Sequence, residues 1–442
     1  MKKLAFAMLV FVGLLTACSP TPTKEHREVL RIVFSSEQQF NFQYGNYFAV
    51  KFPEIDVEII PMDGVVKTGV SFDEMFEAYQ KLVVEQKADL LIPYRPQIKY
   101  LSENGSLLDL DPIIKKEKYD LSKISPAAID MIRQLGNDKL YGLAPEFSST
   151  ALYFNKQLFD KFQIPYPRDQ MSWEETLQLA RRFPVDSDPE KRIYGLHYKY
   201  SLPFELVNEI ASTQAGSFVS EDGAKVLLDT PIWSEAMRTV IHGFRTGNFY
   251  YYENGGKPIN YGPDETKRMD LFSVGRAAMM ISTTEQMQRM KQFNSSVDWG
   301  LVTVPVDAHY PELTHSLSIN TFFAIPAAAE HASTAWKVIK YFNGDEAAKV
   351  RVRTSESLAT RLGFAQDKDG RSLEAFYKLK LDPRATYALL NVTDDINSYF
   401  RTMINEQIDA AVMGRQTADE AVRNAQKLAQ EKLDQTRLTQ KP

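Results

Sequence analysis

Between Val29 and Pro93 the chain alternates between short apolar runs and segments of helical period. This alternation restricts the fold more than any other feature. Val29–Phe34 is an apolar run ending in Ser35-Ser36-Glu37, which reads as a first strand and its loop. Ile55-Asp56-Val57-Glu58-Ile59-Ile60 alternates apolar and polar as a half-buried strand does. Phe40–Phe52, between them, is rich in aromatics and reads as helical. Ser71–Lys87 reads as an amphipathic helix, and Ala88-Asp89-Leu90-Leu91-Ile92-Pro93 follows as a buried strand. The order βαβαβ predicts an α/β fold with a parallel sheet and helices on its faces.

At 442 residues the chain exceeds the size at which one core stops growing, so two domains are expected. Hydrophobic residues at 44% and aromatics at 12% suffice for globular packing. A formal net charge of −5 gives no electrostatic footprint for nucleic acid and argues against broad adhesion to anionic lipid. Beyond Leu15 no apolar stretch is long enough to span a bilayer. No repeat of 20–50 residues is evident.

Cys18 is the only cysteine, so no intrachain disulfide can form and stability must come from packing. It follows Lys2, Lys3, an apolar run from Leu4 to Leu15, and Thr16-Ala17. The apolar run is too short for a transmembrane helix and right for a signal peptide. Leu15-Thr16-Ala17-Cys18 resembles the lipobox of bacterial lipoproteins. That resemblance implies cleavage after residue 17, lipid on Cys18, and an extracytoplasmic protein anchored to the cell membrane, or to an outer membrane where the host has one. Residues 18–28, polar and holding Pro20 and Pro22, read as a flexible tether.

Later segments carry helix signals. Ser172-Trp173-Glu174-Glu175 and Thr417-Ala418-Asp419-Glu420 are capping boxes, in which a hydroxyl and a carboxylate satisfy each other's backbone amides. Ala335, Trp336, Ile339 and Phe342 form a stripe of 3.6 period. Trp173 and Trp336 are assigned to packing, and Trp299 is left open.

Six segments, taken in order, resemble the carbohydrate-type solute-binding proteins of ABC importers (extracellular solute-binding protein family 1), which include the maltose-binding proteins. Lys139–Pro145 is similar to that family's K-I-Y-G-L-P strand, and Ala151–Phe159 to its L-Y-Y-N-K-D-L-F junction. Ser172–Glu175 stands where the family has T-W-D-E, and Phe272–Met279 where it has F-x-x-G-K-A-A-M. Trp299-Gly300 with Pro305 fits W-x-x-x-P-x-P, and Ala335–Phe342 fits A-W-E-F-I-K-F-L. The resemblance implies a two-lobe, type II-like periplasmic-binding fold whose hinge is crossed more than once, with ligand between the lobes. The expected first lobe is 29–144 plus 277–325. The expected second is 145–276 plus 326–442, with Pro145 and Pro326 near the crossings. The implied function is a monomeric, non-enzymatic receptor that captures a sugar or oligosaccharide by lobe closure and passes it to a permease. A lipoprotein that serves a membrane sensor and a surface enzyme acting on glycans are the alternatives.

In open α/β sheets ligands sit beyond the carboxyl ends of strands. That rule selects Glu37 after the first strand, Tyr94 and Arg95 after Pro93, Glu146 after the hinge strand, and Thr284 after Ala277–Ile281. Sugar hydroxyls need planar polar partners, and sugar faces stack on aromatic rings. Glu37, Arg95, Glu146 and Thr284 are therefore the polar candidates. Tyr94, Trp233 and Tyr252, the last within Tyr250-Tyr251-Tyr252-Glu253-Asn254, are the stacking candidates. No nucleophile elbow, zinc helix, P-loop or dinucleotide fingerprint occurs, and the six histidines lack metal-ligand spacing. No cofactor, metal or catalytic residue is expected.

Overall fold

The computed structural model describes residues 27–63, 65, 72–188, 190–198, 202–251, 262–355, 357–366, 370–384 and 394–439. Two sheets organise them. The first contains β1 (Glu28–Phe34), β2 (Ile55–Pro61), β3 (Leu90–Leu91) and β4 (Gly142–Leu143). The second contains β6 (Ala151–Asn155), β7 (Tyr194–Tyr198), β8 (Ala277–Ser282) and β9 (Trp299–Thr303), while β5 (Glu146–Phe147) lies between the two in the chain. Four short strands follow: β10 (Leu313–Thr314), β11 (Phe323–Ala324), β12 (Leu358–Ala359) and β13 (Lys380–Leu381).

The first sheet has the order β2-β1-β3-β11-β4, and β1 pairs parallel with both β2 and β3. The βαβαβ reading holds, and the expected helices are formed. Helix spans Glu37–Lys51, with a π turn at Asn41–Gly45, and Phe72–Glu85. Phe40, Tyr44 and Phe48 stand four apart and are all buried, so one face of this helix is an aromatic ladder. It packs on Phe323 and on Phe342 of the helix Ala332–Phe342.

The second sheet has the order β7-β8-β6-β9, with β7 parallel to β8 and β6 antiparallel to β8 and β9. Along β6 the side chains alternate between two cores, as a strand period of two demands, and β8 also contributes to both. Ala151, Tyr153, Ala277 and Met280 join the core that continues into the first sheet. Leu152, Phe154, Ala278 and Met279 join a separate core beneath the helices Pro203–Thr213, Pro231–Arg245, Asp394–Val412 and Ala418–Thr439. Caps form where the sequence places them. The Ser172 hydroxyl accepts from the Glu175 amide at 3.1 Å while the Glu175 carboxylate accepts from the Ser172 amide at 2.8 Å. Asn155 accepts from the Leu158 amide at 3.2 Å.

The division into halves differs from expectation in two places. β8 and β9 are bonded to β6, so residues 277–303 belong to the second sheet and not the first. The helix Ala332–Phe342 packs on the first core, so the return to the second half comes after it. Its stripe of buried Trp336, Ile339 and Phe342 covers that sheet. Pro326 is also displaced from the crossing. It follows β11 and bridges to Leu107 inside the first half.

Three segments pass between the sheets, and they are bonded to one another. Ser148 on the first and Ser318 on the second exchange both backbone bonds at 2.8 Å. β12, on the third, pairs with β5, and the Thr360 amide donates to the Pro145 carbonyl at 3.1 Å. β10 on the second pairs with β13 on the third. Pro145 thus sits at a crossing between the two sheets.

Candidate functional site: the edges that flank the crossings

β1, β3 and β4 point the same way, because β11 is antiparallel to both β3 and β4. Their carboxyl ends therefore share one edge, which brings Glu37, Tyr94, Arg95 and Glu146 to the same side of the first sheet. Glu37 is exposed and opens the helix after β1, whose N-cap Ser36 accepts from the Gln39 amide at 3.2 Å. Tyr94 bridges to Thr321 of the second crossing and leaves 49% of its surface exposed. Its amide donates to the Gln97 side chain at 2.9 Å, fixing the turn into the helix Arg95–Glu103. Arg95 is the first residue of that helix and is half-buried.

Glu146 lies on β5, where the first crossing meets the third. One carboxylate oxygen, Oε2, receives the Arg351 Nε at 3.2 Å and the Ser355 hydroxyl at 3.3 Å. Arg351 is buried on the helix Asp345–Thr354. Tyr44 lies against the same group. Its phenol is pushed up by burial first and by the Glu146 carboxylate second, with Arg351 opposing and Tyr94 adding to the rise. Tyr44, Tyr94, Glu146 and Arg351 thus form one polar and aromatic cluster at the first sheet's edge. Sequence reasoning missed Arg351, Ser355 and Tyr44, since none follows a strand.

The second sheet offers hydroxyls. Ala151 is in register with Ser282, so the amino end of β6 and the carboxyl end of β8 meet at one edge. Thr284 lies there, almost fully buried at 9% exposure, just before the helix Glu285–Gln292. Beside it the buried hydroxyls of Thr150, Ser282 and Thr283 have no hydrogen-bond partner among the described residues. Tyr153 reaches the same edge and donates to the Thr283 carbonyl at 2.8 Å. A buried polar group without a partner costs free energy, so such a concentration marks an edge suited to an external polar partner.

Trp233 is not at this edge, which corrects the expectation that it stacks on a ligand. It is fully buried in the helix Pro231–Arg245. Its ring is parallel to Phe204 at 6.3 Å and edge-on to Phe218 at 5.3 Å, and its indole N–H donates to the Ser217 carbonyl at 2.8 Å. Both faces are consumed by packing. Tyr252 and Cys18 lie outside the described residues. Tyr250 and Tyr251, next to Tyr252, are structural: Tyr250 packs on Tyr194 and His197, and Tyr251 donates to Asp409 at 2.8 Å. Trp299 is at the opposite edge of the second sheet, paired with Asn155 and covered by the Arg371 guanidinium 4.0 Å from its ring centre. The groove beside it, lined by Lys156, Glu374 and Lys378, is therefore remote from the candidate edge.

The model of the bacterial extracellular solute-binding protein family matches residues 54–349. The chain belongs to that family. Solved structures with the same fold include a sugar transporter of Rhizobium etli in an open conformation, 17% identical, with a TM-score of 0.62, covering 91% of this chain and 98% of that one. The sugar-binding protein MalE of Xanthomonas citri is 15% identical with a TM-score of 0.62, covering 94% of this chain and all of that one, 100%. An ABC substrate-binding protein of Listeria monocytogenes in complex with cycloalternan is 19% identical with a TM-score of 0.56, over 92% and 99% of the two chains. No curated protein sequence matches. At these identities the likeness establishes the two-lobe solute-binding fold. Among the described residues no helix is long and apolar enough to cross a membrane, and no group of acidic, histidine or cysteine side chains is arranged to hold a metal ion.

Proposed function

We propose that this solute-binding protein captures a sugar or oligosaccharide between its lobes and delivers it to an ABC permease while anchored to the membrane through lipid on Cys18. The observation that carries the reading is the pairing of two edges of different chemistry beside a three-segment crossing. One edge offers the Glu146 carboxylate, Arg95 and the exposed Tyr94 ring; the other offers hydroxyls without partners. A saccharide needs this mixture, with charge-assisted bonds to some hydroxyls, neutral bonds to others, and a ring face for its apolar side. Contact with both edges stabilises the closed form over the open one, so ligand shifts the population toward closure. Glu37, Tyr94, Arg95, Glu146 and Thr284 are the proposed contacts among the described residues, and Tyr252 is retained from the sequence. Likeness to proteins described as sugar-binding or bound to cycloalternan supports the carbohydrate class.

The test is thermal unfolding of the soluble chain from Ser19 onward against neutral sugars, uronates, peptides and polyamines. A true ligand at a hundredfold excess over its dissociation constant adds about 2.7 kcal/mol to stability. A shift with saccharides that remain chemically intact supports the reading. A shift with peptides or polyamines alone overturns the sugar assignment, and accumulation of products overturns the receptor assignment.

A further inference from the structure

Arg351 is a tightly constrained cation at the candidate edge. Its side chain is only 10% exposed and its Nε is committed to Glu146 Oε2. Its NH1 is buried without a hydrogen-bond partner among the described residues. Guanidinium is always charged and carries five N–H donors, so an orphaned donor on a buried arginine is costly unless a partner arrives. Glu146, by contrast, keeps 31% of its side chain exposed, with Oε1 outside the Arg351 and Ser355 bonds. The buried Tyr44 phenol lies within reach of both charges, and Tyr94 keeps 49% of its surface exposed.

Resting on the sugar-receptor reading above, we propose that Arg351 is a positioning and specificity residue: it orients Glu146, balances its charge, and so makes the site select a neutral saccharide with adjacent hydroxyls. The carboxylate oxygen left over accepts from one hydroxyl, and the guanidinium beside it donates to the next. A vicinal diol supplies both in one plane. An amino sugar finds a carboxylate whose charge is already matched. A uronate carboxylate can accept from the same Arg351 N–H, but it then lies beside the Glu146 carboxylate, and like-charge repulsion offsets that gain. Balanced charge thus turns a residue pair that looks ionic into a discriminator for uncharged ligands.

The experiment is calorimetric titration of the wild type, Arg351→Gln, Arg351→Lys and Glu146→Gln with common neutral disaccharides, each beside its 2-amino and its uronate counterpart. The wild type is expected to bind a neutral member more tightly than either counterpart. Arg351→Gln should weaken that binding about 10- to 100-fold and move the preference toward the amino sugar, whose ammonium now meets an unmatched carboxylate. Arg351→Lys should restore the neutral preference in part. Glu146→Gln should weaken neutral binding without creating a preference for the amino sugar, and it keeps the test alive if Arg351→Gln does not fold. A merely structural role would lower the unfolding midpoint and leave the ratio of affinities unmoved. An unmoved ratio overturns the proposal, as does tighter wild-type binding of the charged counterparts, and in both cases the sugar reading stands. Absence of binding by every saccharide overturns the sugar reading and this proposal with it.

Discussion

The two sheets meet the same crossings with opposite chemistry. At the first sheet all contributing strands point toward the edge, and the residues just beyond them are Glu37, Tyr94, Arg95 and Glu146. At the second, β8 points toward the edge while β6 starts from it, and the residues there are Thr150, Ser282, Thr283 and Thr284. The first edge is charged and internally paired through Arg351; the second carries hydroxyls, and those of Thr150, Ser282 and Thr283 have no hydrogen-bond partner among the described residues. Hydrogen bonds to charged groups are worth about 1.5–3 kcal/mol and neutral ones about 0.5–1.5 kcal/mol. Under the function proposed above, the contrast assigns the holding of the solute to the first lobe and the closing step to the second.

The comparison can be broken at its strongest point by removing the core of the second lobe. Trp233→Ala should destabilise by about 3–5 kcal/mol, read from the urea midpoint, since it deletes a fully buried ring packed on Phe204 and Phe218. A change below 1 kcal/mol would return Trp233 to the list of ligand contacts. Next in size is Glu146→Ala, expected to cost about 1.5–3 kcal/mol of binding free energy in calorimetry while Ser282→Ala costs about 1 kcal/mol. Equal losses would erase the proposed division between a holding and a closing lobe.

Acid sensitivity sharpens the contrast further, because buried titrating groups lie in the second lobe. His197 is pushed down to about 4, by burial first, with Asp270 pulling up and Arg289 pushing down. An unfolded imidazole takes up its proton near pH 6.5. Between there and about 4 only the unfolded chain gains the proton, so stability falls as pH drops through that window. His197→Gln should flatten this limb in a series of urea midpoints from pH 7.5 to 4.5. Glu209 works lower. Burial raises its carboxyl, but the charge and hydrogen bond of His315 and the hydrogen bond from Tyr198 outweigh that and leave it lowered. Its contribution is complete above the unfolded carboxyl value of about 4.3 and is lost as pH falls toward the lowered folded value. Glu209→Gln should therefore lower stability at every pH above that value and remove this part of the loss at the acid end.

The smallest expected effect has a distinctive sign. Ser282→Ala removes a buried hydroxyl that has no partner, so the unliganded protein should keep its stability or gain a few tenths of a kcal/mol. Loss of stability together with loss of affinity would mean that the hydroxyl serves the fold and not the ligand.

What the sequence revealed follows from which signals are local. The strand at Glu28–Phe34, the amphipathic helix over Phe72–Glu85 and the Ser172–Glu175 box are written in neighbouring residues, and each was legible. The carboxyl-end rule brought Glu37, Tyr94, Arg95 and Glu146 to one edge because those strands are parallel. The rule misses Thr150, which precedes its strand, and the order of β6, β8 and β9 in one sheet depends on pairings more than a hundred residues apart. That long-range pairing is also why neighbouring residues alone do not show that 277–303 join the second sheet. Trp233 misled because an aromatic at the start of a helix reads the same whether its ring faces a cleft or Phe204. Arg351 was illegible: Val350-Arg351-Val352-Arg353 holds two arginines, and nothing local says which one reaches Glu146.

The position of β11 also governs how the molecule is made. β11 is bonded between β3 and β4, yet in the chain it follows β6, β7, β8 and β9, the whole of the second sheet. A ribosome delivers β1 to β4 early, but their sheet cannot be completed until Phe323 emerges. During that interval the facing sides of β3 and β4 lack the strand that joins them, while the second sheet has all four of its strands. The sheet begun first is therefore closed after the sheet begun second, and until then the unpaired edges of β3 and β4 are exposed to aggregation, while the second core still awaits the helices Asp394–Val412 and Ala418–Thr439.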